Sequence, residues 1–163
     1  MQTMVQIRIA QSQDLAGVDA LLARSYPKLL KHDYAPSVLV LALPIITRAK
    51  PELMQSGTYY VAETDAGEII GAGGWTPSRG SRDQGDIRHV VTDPDHLRRG
   101  VGQAIISASL DQARADGISV MRCWSTHTAV PFYQAQGFTI RGPLSVTLAG
   151  GIAFPSVDMQ QIL

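Results

Sequence analysis

The sequence predicts one α+β domain built on a mixed sheet, and three patterns carry that expectation. Residues 58–63 and 68–75 are strand-like runs around Asp65-Ala66-Gly67, a hairpin turn that makes the two runs antiparallel. Residues 86–124 hold an apolar run, a glycine loop, an apolar-periodic helix and a second apolar run, the order of a right-handed crossover between parallel strands. Beyond Phe138 the chain returns to strands, at 145–148 and 152–159, about Gly150-Gly151. A chain of 163 residues buries roughly 70% of its unfolded surface in one core. With no repeat, low-complexity tract or linker, it reads as a single domain over residues 1–163.

Val5–Ile9 alternates apolar and polar residues and forms the first strand. Ser12 or Asp14 caps a helix whose Leu15, Val18, Leu21 and Leu22 share a face; its end is left open, because Tyr26-Pro27 stops a regular helix while Leu29-Leu30 keeps the chain apolar. A second helix starts near Ala35-Pro36 and runs through 38–41, with Pro44 expected to kink or split it. In the hairpin, Gly71, Gly73 and Gly74 signal a bulge or a close backbone approach, and Trp75 reads as core or sheet cover. Residues 77–85 form a polar, turn-rich loop. The fourth strand, 86–92, leads into the glycine loop and a helix with two apolar rows, Val101, Ile105, Ala108 and Ile106, Leu110, Ala113. Gly117 ends that helix, the fifth strand covers 118–124, and a short helix at 129–136 closes at Gly137.

Composition narrows the function. Fourteen basic and fourteen acidic residues give zero net charge, so neither nucleic acid nor an anionic membrane is an expected partner. A charged fraction of 17% favours either an oligomer, such as a homodimer, or a substantial apolar cleft. Cys123 is the only cysteine, which excludes an internal disulfide and fits a reducing compartment; in an apolar strand it reads as a packed thiol. The first eight residues lack the layout of a signal peptide, and the longest apolar run, 38–46, is too short to span a bilayer and holds Pro44. A cytoplasmic protein is the expectation. No His, Cys and carboxylate cluster has metal-ligand spacing.

The glycine loop is Pro94-Asp95-His96-Leu97-Arg98-Arg99-Gly100-Val101-Gly102-Gln103, a strand-to-helix turn. The first amides of a helix lack intrahelical acceptors, and the macrodipole puts partial positive charge at the same end. Gly100 and Gly102 remove Cβ atoms that would hold an anion away, while Arg98 and Arg99 add full charges. A diphosphate is a suitable guest, although the same pattern also serves as ordinary turn chemistry. No Lys-Ser or Lys-Thr follows the glycines and no third glycine stands at dinucleotide spacing, so the two commonest nucleotide loops are excluded.

About thirty residues downstream stands Ala129-Val130-Pro131-Phe132-Tyr133-Gln134-Ala135-Gln136-Gly137-Phe138. Together with Arg98-Arg99-Gly100-Val101-Gly102, it resembles the two main motifs of the GNAT superfamily, the acetyl-CoA-dependent N-acetyltransferases, over roughly residues 5–138. Val-Pro-Phe-Tyr-Gln, Gly-Phe and Gly142-Pro143 are also locally similar to the arylalkylamine N-acetyltransferases. The resemblance implies a mixed, mostly antiparallel sheet of about seven strands flanked by helices on both faces, with acetyl-CoA between strands four and five. The implied reaction is direct transfer of acetyl to a primary amine in a ternary complex. It also implies that the helices between the first two strands line the acceptor site; here they are apolar, which suits a small or partly hydrophobic acceptor, a buried helix pair or a dimer surface equally.

The implied cosubstrate contacts are the backbone of Val90 and Val91, the loop residues Arg98, Arg99, Gly100, Val101, Gly102 and Gln103, and Phe132. Amides on the fourth strand would face the oxyanion, worth about 3 kcal/mol in the transition state. Tyr133 matches the tyrosine that donates to the departing thiolate; its other reading is an aromatic packed beneath the helix. Asp86 occupies the position of the family's base, and as a short carboxylate needs a bridging water and partial burial to serve. Arg88 shares its face and competes as an ion-pair partner; His89 faces away unless the strand is bulged, and His127 is a further candidate. Leu97 and Thr126 replace the polar residues the family usually has at those positions. Acetylation of a peptide or protein amine, and a non-catalytic acyl-CoA-binding module, are the alternatives.

Overall fold

A computed structural model describes residues 4–163, so Met1, Gln2 and Thr3 of the N-terminal stretch lie outside the described residues. Seven strands form one sheet in the order β1-β2-β3-β4-β5-β7-β6. They are β1 (Val5–Ile9), β2 (Tyr59–Thr64), β3 (Ile69–Pro77), β4 (Gln84–Thr92), β5 (Val120–Ser125), β6 (Thr139–Leu148) and β7 (Ile152–Ile162). Only β4 and β5 pair in parallel; every other neighbouring pair is antiparallel. Five α-helices connect them: α1 (Leu15–Leu30), α2 (Pro36–Ile46), α3 (Pro51–Met54), α4 (Val101–Ala115) and α5 (Val130–Ala135).

The period-two alternation of β2 sorts its side chains onto two covered faces. Tyr59 and Val61 join Leu21, Leu22 and Leu30 of α1 and Leu39 of α2. Tyr60 and Ala62 face the other way, onto Val101 and Ile105 of α4. The second apolar row of α4, Ile106, Leu110 and Ala113, lies over Trp75, Met121 and Cys123, where Tyr133 of α5 also packs. Helices α1 and α2 thus cover one face, α4 and α5 the other. Trp75 is 1% exposed and is core.

Pro27 and Pro44 both lie inside their helices. Pro27 does not stop α1, which continues to Leu30. Its ring removes one bond, to the Ala23 carbonyl, and fully buried Leu30 anchors the turn beyond it. Pro44 does not split α2; it sits in the last turn of a helix that reaches Ile46. At the start of α1, Asp14 makes no cap of its own: its carboxylate accepts the Gln11 amide at 2.7 Å and an Arg8 ion pair at 2.8 Å. The polar loop is shorter than expected, because β3 runs to Pro77 and β4 begins at Gln84. The C-terminal strands are longer, forming one hairpin from Thr139 to Ile162.

Candidate functional site

Strands β4 and β5 pair only where Gln84, Gly85 and Asp86 meet Val120, Met121 and Arg122. Beyond that point they part, and a cavity of about 640 Å³ opens along the later part of β4. Tyr26, Leu29 and Leu30 of α1 line one side, and Val90, Val91 and Thr92 supply the strand edge. His96, Leu97, Arg98 and Gly100 to Gln103 form one end; Thr126, Thr128, Ala129, Phe132 and Gln136 form the opposite wall.

The end at α4 presents backbone amides without intrahelical acceptors. Gly100 is its N-cap at φ +77°, with open space where a Cβ would be, and Arg98 takes φ +63°. Ala104 is the first amide to bond back, to the Gly100 carbonyl at 3.0 Å, which leaves Val101, Gly102 and Gln103 without intrahelical acceptors. A Cβ on Gly102 would stand 3.0 Å from the Phe132 ring, so this glycine lets α5 approach α4. Asp93 holds the loop's entry: its carboxylate accepts from the Asp95 amide at 2.9 Å and from Arg24 of α1 at 2.7 Å. Burial raises the Asp93 value, but Arg24 and the Asp95 amide outweigh it and keep the carboxyl below its ordinary range.

Midway along β4 the register slips. Ala72 pairs with Val91 and Gly74 with Arg88, so His89 and Val90 together face the single residue Gly73. His89 takes φ +40°, and its carbonyl accepts the Tyr59 hydroxyl at 2.9 Å. Because of this bulge His89 does not follow regular alternation; burial, with Lys50 and Arg88 nearby, pushes its imidazole down to about 4. It is neutral at pH 7.

Tyr133 is 5% exposed and is not among the residues lining the cavity. Burial raises its hydroxyl well above 10, with Cys123, Tyr26 and Tyr59 as neighbouring groups. The Cys123 thiol is pushed up to about 12 by the same burial, as is Tyr26. Tyr26 reaches the cavity from this buried group. Asp86 also lies off the cavity lining and accepts from the Ser78 hydroxyl at 2.8 Å. Arg88 makes no pair with Asp86 and donates from Nε to the Thr76 hydroxyl at 2.9 Å. His127 stacks on Tyr34, ring centroids 4.9 Å apart, and its amide donates to the Tyr34 hydroxyl at 2.9 Å.

Of the residues expected to meet the cosubstrate, Val90, Val91, Arg98, Gly100, Val101, Gly102, Gln103 and Phe132 line the cavity; Arg99 does not. The sequence reading puts the helices between the first two strands at the acceptor site but names none of Tyr26, Leu29 and Leu30 as lining it. The apolar Leu29-Leu30 beyond Pro27 is the available signal.

The comparisons with known proteins agree with this architecture. The acetyltransferase (GNAT) domain family matches residues 55–140, more than half of the chain. The chain belongs to the GNAT acetyltransferase family. Over 67 residues it is 28% identical to an uncharacterized N-acetyltransferase of Methanocaldococcus jannaschii, a match spanning 39% of this chain and 30% of that protein. A GCN5-related N-acetyltransferase structure from Rhodopseudomonas palustris superposes with a TM-score of 0.77 at 20% identity, covering 100% of this chain and 99% of that one. The PaiA N-acetyltransferase of Thermoplasma acidophilum, solved in complex with coenzyme A, gives 0.75 at 13% identity, covering 98% and 99%. Among the described residues no helix is long and apolar enough to cross a membrane.

Proposed function

We propose that this protein is an N-acetyltransferase that moves acetyl from acetyl-CoA to the primary amine of a small or partly hydrophobic acceptor, by direct attack in a ternary complex. The observation that carries this is the cavity along the parted edge of β4, ending on the unpartnered amides of α4. The residues fit the cosubstrate: Gly100 leaves the cradle open, Gly102 lets Phe132 close against it, the amides of Val101 to Gln103 with Arg98 suit a diphosphate, and Leu29, Val90 and Phe132 suit an apolar arm. The thioester supplies the acetyl group and a thiolate that needs a proton.

In this reading the β4 backbone at Val90 and Val91 stabilises the oxyanion, and Tyr133 holds a proton for the thiolate. Burial raises its hydroxyl further, so at neutral pH it meets the thiolate as a hydrogen-bond donor rather than as a strong acid. Asp86 takes the amine's proton through a bridging water, and the Ser78 bond fixes its carboxylate. His89 is the second candidate, a neutral imidazole that burial makes weakly basic. Calorimetric titration with acetyl-CoA tests the reading: micromolar binding is expected, abolished by Gly100→Trp. Tyr133→Phe should keep that binding and lower kcat by about 10- to 100-fold. A folded wild type that fails to bind acetyl-CoA removes the proposal.

A further inference from the structure

The last β4–β5 pair is Asp86 with Arg122. Two residues further along each strand stand Arg88 and Trp124, on the same sheet face as that pair, at the point where the strands part. This face is opposite α4, since the alternating residues Ile87 and Cys123 pack in the α4 cluster. Trp124 is 62% exposed there, an unusual state for an indole in the middle of a sheet.

Arg88 is the unbalanced group. It is partly buried, its side chain's single hydrogen bond among the described residues is the one from Nε to the neutral Thr76 hydroxyl, and it enters none of their ion pairs. The other charges on this face have partners, although Arg122 Nε and Asp158 Oδ1 find no hydrogen bond among the described residues. Asp86 is held by Ser78, and Asp158 stands 3.6 Å from Arg122 and 3.8 Å from Arg141. A guanidinium cannot shed its charge, and it presents a planar fork of donors matched to a carboxylate. A partly buried one left unpaired where β4 and β5 part is set for an anion that arrives with a ligand. One uncompensated cation, with Asp86 and Asp158 on the same face, suits a singly charged carboxylate better than a phosphate dianion.

We propose that the acceptor is an amino acid or close analogue, its carboxylate held by Arg88 and its side chain lying against Trp124. This rests on the transferase reading and narrows its acceptor class.

The test compares acetylation of phenylalanine and leucine with that of phenethylamine and isoamylamine, the same molecules without the carboxylate. Phenyl phosphate-bearing amines serve as the phosphate control. For wild type, kcat/KM is expected to favour the amino acid by about tenfold or more, and Arg88→Gln should erase that preference through KM, with kcat little changed. Arg88→Lys should restore part of it, and Trp124→Ala should raise KM for phenylalanine. Acetyl-CoA binding, measured on every variant, reports folding and separates the two levels of failure. Wild type that does not bind acetyl-CoA sinks the transferase reading and this inference with it. Wild type that binds acetyl-CoA yet acetylates amines as well as amino acids, prefers the phosphate-bearing amine, or acetylates no amino acid overturns the inference alone, as does an Arg88→Gln variant that slows both members of a pair equally.

Discussion

Gly74 shows how one missing atom fixes the geometry of the site. A Cβ there would lie 2.2 Å from the Thr58 carbonyl oxygen and 2.6 Å from the Tyr59 Cα, both backbone atoms that no rotamer change can move. Gly74→Ala must therefore push β2 from β3 beside the β4 slip, and we expect a loss of about 3 kcal/mol or more in a urea titration, against about 1 kcal/mol for Gly80→Ala, where a φ of +77° is the sole obstacle. The sequence made Gly74 legible as a close approach, because a strand rarely spends three of four positions on glycine without a steric reason. Asp93 was not legible in the same way. Its partner Arg24 lies 69 residues earlier, and nothing local announces that a helix will deliver a guanidinium there.

At the scale of elements, the β4 bulge breaks the alternation that would otherwise fix the face His89 takes. Residue types alone offered His89 only on the condition of a bulge; the register slip supplies that condition. A bulge depends on what two neighbouring strands can pair, so its position is invisible in the strand that carries it. The slip has a thermodynamic signature. His89 has a folded value of about 4 against 6.5 when free, so between those values the unfolded chain binds a proton that the folded one does not. Stability should therefore fall as pH drops from about 6.5 towards about 4, by about 3 kcal/mol in all. Asp14 and Asp93, held low by Arg8 and Arg24, add a further loss only below about pH 4. Denaturant midpoints measured across pH 4–8 should show the first slope in wild type and a flatter line in His89→Gln. An equal slope in both would mean that His89 is not the buried neutral group. The crossover unit was the most legible element of all, since the helical period of α4 and the positive-φ glycines at 100 and 117 are local properties. The short α3 had no period to reveal it.

For the whole molecule, sheet order is the property the sequence concealed most completely. Strand-like runs at the C-terminal end were plain, but not that β7 would lie between β5 and β6, because pairing partners are chosen by packing across the core. Met159 of β7 is fully buried against Cys123 and Tyr133, so β7 belongs to the same core as the candidate site. Removing residues 152–163 should expose the β5 edge, abolish cooperative thermal unfolding and leave a collapsed state without near-UV circular dichroism. Retention of a sharp transition would show that β7 is only an accessory strand.

That placement also sets an order of events during synthesis. The ribosome delivers β6 before β7, yet β6 cannot reach β5 directly, because the seat beside β5 is taken by the strand that follows. The growing chain must keep one strand edge waiting until the hairpin closes and docks through its later arm. Such nonlocal closure is slow and leaves an adhesive edge open, so this half of the sheet is where a nascent chain is most exposed to chaperones or to another copy of itself.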